Sequence, residues 1–155
     1  MLKRLSVLLL AVAVVCGSAV ADAATKHKAK SHSINGSATI AMITTTGSPP
    51  VNGSSVDAGL VNNSQGAGAV RLTTTYAAPN FNASGTAFYV AGSLKVTLKG
   101  SGAPQPDGSL TFSGTGKVTG GTGSYKGAKG SFTFTGSAPG LGKPATFHLT
   151  GSAKY

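Results

Sequence analysis

The 155-residue chain carries 13 Lys and Arg against 3 Asp and Glu, yet only 10% of its residues are charged. With no Glu and a single Cys, Cys16, it offers no disulfide framework, no cysteine-based zinc site and few carboxylates for acid–base work. A net charge of +10 suits anionic partners such as cell-wall polymers, lipid headgroups or nucleic acid, and it equally suits plain solubility on a Ser/Thr/Asn/Gly surface.

Lys3 and Arg4 precede an apolar run from Leu5 to Val15, and Ala19-Val20-Ala21 and Ala21-Asp22-Ala23 both offer the small-x-small pattern that signal peptidase reads. The run falls short of the roughly 20 apolar residues that span a bilayer, and no second one follows. Residues 1–23 therefore read as a signal peptide, and the mature protein as secreted, extracellular or periplasmic, with no transmembrane segment after processing. Cys16 leaves with the signal, so the mature domain has no thiol. Residues 24–33 (TKHKAKSHS from Thr25) are basic and aperiodic, and are expected to form a flexible tail making weak contact with an anionic cell surface.

From Ile34 to Tyr155 the pattern changes to short alternating runs punctuated by Gly, Pro, Asn and Asp. Ala38, Ile40 and Met42 alternate, as do Val56, Ala58 and Leu60, then Val70, Leu72 and Thr74. Leu94, Val96 and Leu98 follow, then Leu110 with Phe112, Phe132 with Phe134, and Phe147 with Leu149. Eight strands are predicted near residues 33–43, 55–61, 68–76, 84–91, 92–99, 108–119, 129–137 and 145–154. The 23 glycines would weaken any helix, and no i, i+3, i+4 stripe is sustained. Ala91-Gly92 suits a tight hairpin and Pro106-Asp107-Gly108 a turn. The fold class is all-β, a single eight-stranded antiparallel β-barrel over 34–155, with a β-sandwich as the alternative. Every aromatic residue of the domain lies at or beyond Tyr76, so the second half should build the packed core.

The stretch GTGKVTGGTGSYKGAKGSFTFTG, Gly114 to Gly136, resembles the signature shared by plant dirigent proteins, allene oxide cyclases and their bacterial barrel relatives. The matching positions are Gly120, Gly121, Thr122, Gly123, Tyr125, Ala128, Lys129 and Gly130. The resemblance covers about Phe88 to Phe134 and implies an eight-stranded antiparallel barrel with a small apolar cavity. It does not bring the family's catalytic groups: Asp107 sits in a turn, and Asp57 has no second carboxylate beside it.

The glycine-rich segment fits neither phosphate-binding spacing, and His148, the one histidine beyond the tail, alternates with Phe147 and Leu149 and should face solvent. No catalytic residue, metal site or cofactor is assigned, and no specific nucleic acid partner. The expected function is binding of a small apolar or phenolic ligand, or a structural role at the cell surface. An isomerase, cyclase or stereoselective coupling protein is the alternative, and an adhesion module the third reading. Large inward residues on the late strands and small ones on the early strands (Ala38, Ala58, Val70, Thr74) would leave an off-centre cavity. Tyr76, Tyr89, Phe112, Phe132, Phe134 and Phe147 are its candidate ligand-binding residues. Sequencing of exported protein should find the mature N-terminus within Asp22–Thr25; intact Met1 on protein from the medium would refute export.

Overall fold

The computed structural model describes residues 29–155. The segment predicted to be a signal peptide and the expected tail as far as residue 28, with Lys26 and Lys28, lie outside the described residues. Eight strands follow in order: β1 (Ser31–Ser48), β2 (Asn52–Asn63), β3 (Gly66–Ala77), β4 (Asn80–Tyr89), β5 (Gly92–Pro104), β6 (Leu110–Gly121), β7 (Lys129–Ala138) and β8 (Ala145–Lys154). One 3-10 turn, Gly123–Tyr125, sits between β6 and β7. Each strand pairs antiparallel with the next, and β1 also pairs with β8, so the sheet is a closed eight-stranded barrel rather than a sandwich. Closure leaves no free strand edge, which suits a domain without disulfides.

The tail is shorter than its composition suggests. Ser31 to Ser33 belong to β1, in register with Lys154 to Ser152 of β8, and the backbone of Lys30 exchanges hydrogen bonds with Tyr155. The ring of His32 stacks on Tyr155 at a centroid distance of 4.1 Å, which fixes residues that look featureless in sequence.

The two ends of the barrel differ. At one end lie the connections β1–β2, β3–β4, β5–β6 and β7–β8, and all seven prolines of the chain stand in or beside them: Pro49, Pro50, Pro79, Pro104, Pro106, Pro139 and Pro144. Proline fixes φ and has no N–H to donate, so it belongs in loops rather than in a closed ladder. In the β5–β6 loop, Asp107 accepts a hydrogen bond from the Ser109 N–H at 2.9 Å, the local turn role expected of it.

The opposite end is sealed by aromatic rings. Tyr125 is buried, with centroids 5.7 Å from Tyr89 and 5.1 Å from Tyr155, both in edge-to-face geometry. The glycine motif delivers it there. Gly123 has φ of +57°, a conformation that L side chains rarely adopt. A Cβ on Gly121 would stand 2.6 Å from the Ser93 carbonyl oxygen, whereas one on Gly120 would meet open space. The Thr122 side chain accepts from the Ser93 N–H at 3.1 Å, pinning the turn to the β4–β5 hairpin. Ala128 is fully buried, and the Lys129 ammonium donates to the Thr119 carbonyl. Gly130 lies too close to Ala153 of β8 for any side chain. The motif is thus a cap for the closed end.

Inside, the late strands interleave phenylalanine with glycine across the sheet. Phe112 lies opposite Gly102 and Gly136, Phe134 opposite Gly114, Phe132 opposite Gly116 and Gly151, and Phe147 opposite Gly136. A Cβ on Gly114 would come within 2.5 Å of the Phe134 ring, and one on Gly136 within 2.5 Å of Phe147. The missing side chains are the space the rings occupy. An eight-stranded barrel is only just wide enough for inward side chains, so bulk on one strand demands its absence on the next. Phe134→Ala should cost about 3–5 kcal/mol through the cavity left behind. Gly114→Ala should cost about 1–3 kcal/mol by overpacking, and Gly120→Ala should stay within about 0.5 kcal/mol. Denaturant unfolding measures all three, and an unaltered Gly114→Ala midpoint would refute the ring-against-glycine account.

Candidate functional site

The phase of β2 is the reverse of the one its apolar residues suggest. Ser55, Asp57 and Val61 point inward and are buried, while Leu60 is 72% exposed and Val56 and Ala58 are not buried. The segment VDAGLV carries apolar residues in both phases, and what decides between them is hydrogen bonding. Ser55 lies directly opposite Thr74 of β3 in register. The Ser55 hydroxyl donates to Asp57 Oδ1 at 2.6 Å and the Thr74 hydroxyl donates to Asp57 Oδ2 at 2.5 Å. The Tyr76 hydroxyl lies 3.1 Å from Ser55 Oγ and 3.8 Å from Met42 Sδ. Hydrogen bonds to a charged group contribute about 1.5–3 kcal/mol each, which offsets the cost of burying a carboxylate. A bulge in β1 between Met42 and Thr44 turns Ile43 outward, where it is 61% exposed, and keeps Met42 facing the cluster.

This cluster lies in the wall of a chamber of about 100 Å³ near the proline-rich end. Asp57, Thr74 and Tyr76 form its polar side; Ile40, Met42, Phe81, Phe112, Ala145 and Phe147 form its apolar walls. The β7–β8 loop reaches over it with Leu141 and Lys143. Outside it a vestibule of about 450 Å³ is bounded by Pro50, Val51, Pro79, Pro104 and Leu141, and it shares Tyr76, Phe81 and Phe112 with the chamber. The rings form a belt, with Phe81 and Phe112 centroids 6.3 Å apart and Phe112 and Phe147 5.6 Å apart.

The structure divides the six aromatic residues singled out from the sequence. Tyr76, Phe112 and Phe147 line the chamber. Phe134 is 3% exposed and packs against Phe81 and Phe147, behind the chamber lining. Tyr89 and Phe132 line a separate apolar void of about 70 Å³ toward the closed end. The residues that sequence reasoning missed are Ser55, Asp57 and Thr74 as a group, together with Phe81. The available signal was Ser-x-Asp beside Thr-x-Tyr, two i, i+2 pairs that place all four side chains on one face of adjacent strands. His148 is exposed, as expected. Among the described residues no three His, Cys, Asp or Glu side chains come together as a metal site, and no helix is long and apolar enough to cross a membrane.

Burial lifts the Tyr76 hydroxyl above the ordinary tyrosine value of 10.0; the Ser55 hydrogen bond opposes this and the Asp57 carboxylate adds to it. Burial likewise raises Tyr89, against the opposing hydrogen bond from Asn63. The folded chain keeps both phenols protonated at a pH where the unfolded chain releases them. The resulting stabilisation is complete below pH 10.0 and is lost as pH rises through the folded-state values. Urea unfolding should therefore show stability falling above pH 10.0, with a shallower fall in a Tyr76→Phe/Tyr89→Phe variant.

Residues 8–98 match the model of a family described as Protein of unknown function (DUF3604). No curated protein and no solved structure matches the chain.

Proposed function

The chain belongs to the DUF3604 family, and for this member we propose an exported, non-enzymatic binding protein that takes a small apolar or phenolic ligand in through the proline-rimmed mouth. The observation that carries this reading is the chamber itself. It is walled mainly by aromatic and aliphatic side chains, carries Asp57, Thr74 and Tyr76 on one side and Lys143 on the loop above, and is continuous with an apolar vestibule. Ligand sites in proteins have this make-up, an apolar pocket with a few placed polar groups. Engineered apolar cavities of about 150 Å³ hold benzene; the chamber, at about 100 Å³, is smaller, so a bound ring extends from it into the vestibule of about 450 Å³. At about 25 cal/mol per Å², burying one ring of about 150–250 Å² gives only about 4–6 kcal/mol before association costs, so micromolar affinity requires a larger, two-ring ligand that also covers the vestibule. The resemblance to dirigent and allene oxide cyclase-like barrels is consistent with a cavity of this kind.

An isomerase-type activity is the second reading, and the Asp57–Ser55–Tyr76 relay is what favours it. A carboxylate beside a phenol in an apolar chamber has the parts for moving a proton on a bound carbonyl compound. Deuterium incorporation into a bound ketone, lost in Asp57→Asn, would shift the balance to that reading.

The test of binding is titration of the purified domain with the neutral fluorophore N-phenyl-1-naphthylamine. Saturable one-to-one binding is expected at micromolar concentrations. Ala145→Phe, which places a ring in the chamber, should weaken it at least about tenfold, or about 1.4 kcal/mol. Silence in the parent with binding only after Phe134→Ala would mean a packed interior and a structural role.

A further inference from the structure

We propose that the chamber selects ligands carrying a protonated amine on a flat apolar body, with Asp57 as the recognition group; this rests on the binding reading above. Asp57 is 5% exposed and lines the chamber, in a chain that has only 3 acidic residues against 13 basic ones. Another of the three, Asp107, is spent on a turn at the surface. A carboxylate accepts about four hydrogen bonds, and the protein's hydroxyls supply one to each oxygen, from Ser55 and from Thr74. Both donors are neutral. The carboxylate is thus oriented by the fold, and its unused acceptor capacity borders the chamber.

The walls complement a cation in the same place. Tyr76, Phe81, Phe112 and Phe147 surround the space beside Asp57, and aromatic faces attract ammonium groups, more so when desolvated. A ligand ring could then lie toward Leu110 and the vestibule while its ammonium meets the carboxylate. An anion would have to enter against Asp57 in a low-dielectric space, where like charges repel strongly. Two features work the other way. Lys143 lines the chamber from the β7–β8 loop, and the chain is strongly basic overall. Exposed charge is screened beyond about 8 Å at physiological ionic strength, so the net charge slows approach more than it weakens the bound state. Lys143 is the closer competitor, but hydroxyls rather than its ammonium hold the Asp57 oxygens.

The experiment is a calorimetric titration of the domain with four ligands of one shape at neutral pH: ethylbenzene, 2-phenylethanol, 2-phenylethylamine and phenylacetate. The proposal expects the amine to bind at least tenfold more tightly than ethylbenzene and the alcohol, with phenylacetate weakest. Asp57→Asn should collapse the ratio of amine to hydrocarbon affinity to within about threefold, as should Asp57→Ser if the first variant folds poorly. If ethylbenzene and the amine bind equally, the chamber is a binding site but the amine inference is overturned. If phenylacetate binds best, Lys143 and not Asp57 reads the ligand, and the inference is overturned again. If none of the four binds, the binding reading itself fails. The ligand series in the parent protein decides the matter even if both variants fail to fold.

Discussion

Eight strands can close around a dry interior only if the inward side chains share a narrow tube, and here the rings of Phe112, Phe132, Phe134 and Phe147 take the space that glycine leaves on neighbouring strands. Everything else in the molecule is arranged around that exchange. Where rings and glycines alternate tightly, the barrel is solid, and Phe134 is almost wholly removed from solvent. Where small or polar residues replace them on β2 and β3, the interior opens into the chamber beside Asp57. The same constraint explains a composition rich in glycine without disorder: many of the glycines are packing residues, matched in register to a ring.

Strand number and approximate position were legible because period-two alternation, glycine and proline act locally, and every one of the eight predicted strands overlaps an observed one. Closure of the sheet is implied by the resemblance carried by Gly114 to Gly136 and not by alternation, which fits a sandwich as well, since pairing of β1 with β8 is a long-range fact. The fate of Ser31 to Ser33 was hidden for the same reason: their partners lie at the far end of the chain. The closed-end motif was visible as glycines and a tyrosine. That Gly121 and Gly123 are constrained while Gly120 has open space around it depends on which backbone passes nearby.

The candidate site was harder to read, and β2 shows why. Hydrophobicity assigns Leu60 and Val56 to the interior, yet Leu60 is exposed and a carboxylate takes the inward phase two residues from Ser55. A buried charge violates the pattern rule at the place where the barrel is functional in our reading, and the violation is stable because two hydroxyls satisfy it. The six candidate aromatic residues lie on the inner side of the barrel, but inward is not the same as ligand-facing. Tyr76, Phe112 and Phe147 line the chamber, Phe132 and Tyr89 a different void, and Phe134 neither.

The start of β1 and the finish of β8 lie together, and this bears on how the protein is presented. β1 begins and β8 finishes at the sealed end, where Lys30 and Tyr155 are hydrogen-bonded to each other, while the proline-rich rim lies at the other end. Anything that holds the molecule through the segment before Ser31, or through an extension fused after Tyr155, therefore holds it like a cup by its base. The opening is turned away from the support, and a partner fused directly after Tyr155 would leave the mouth clear.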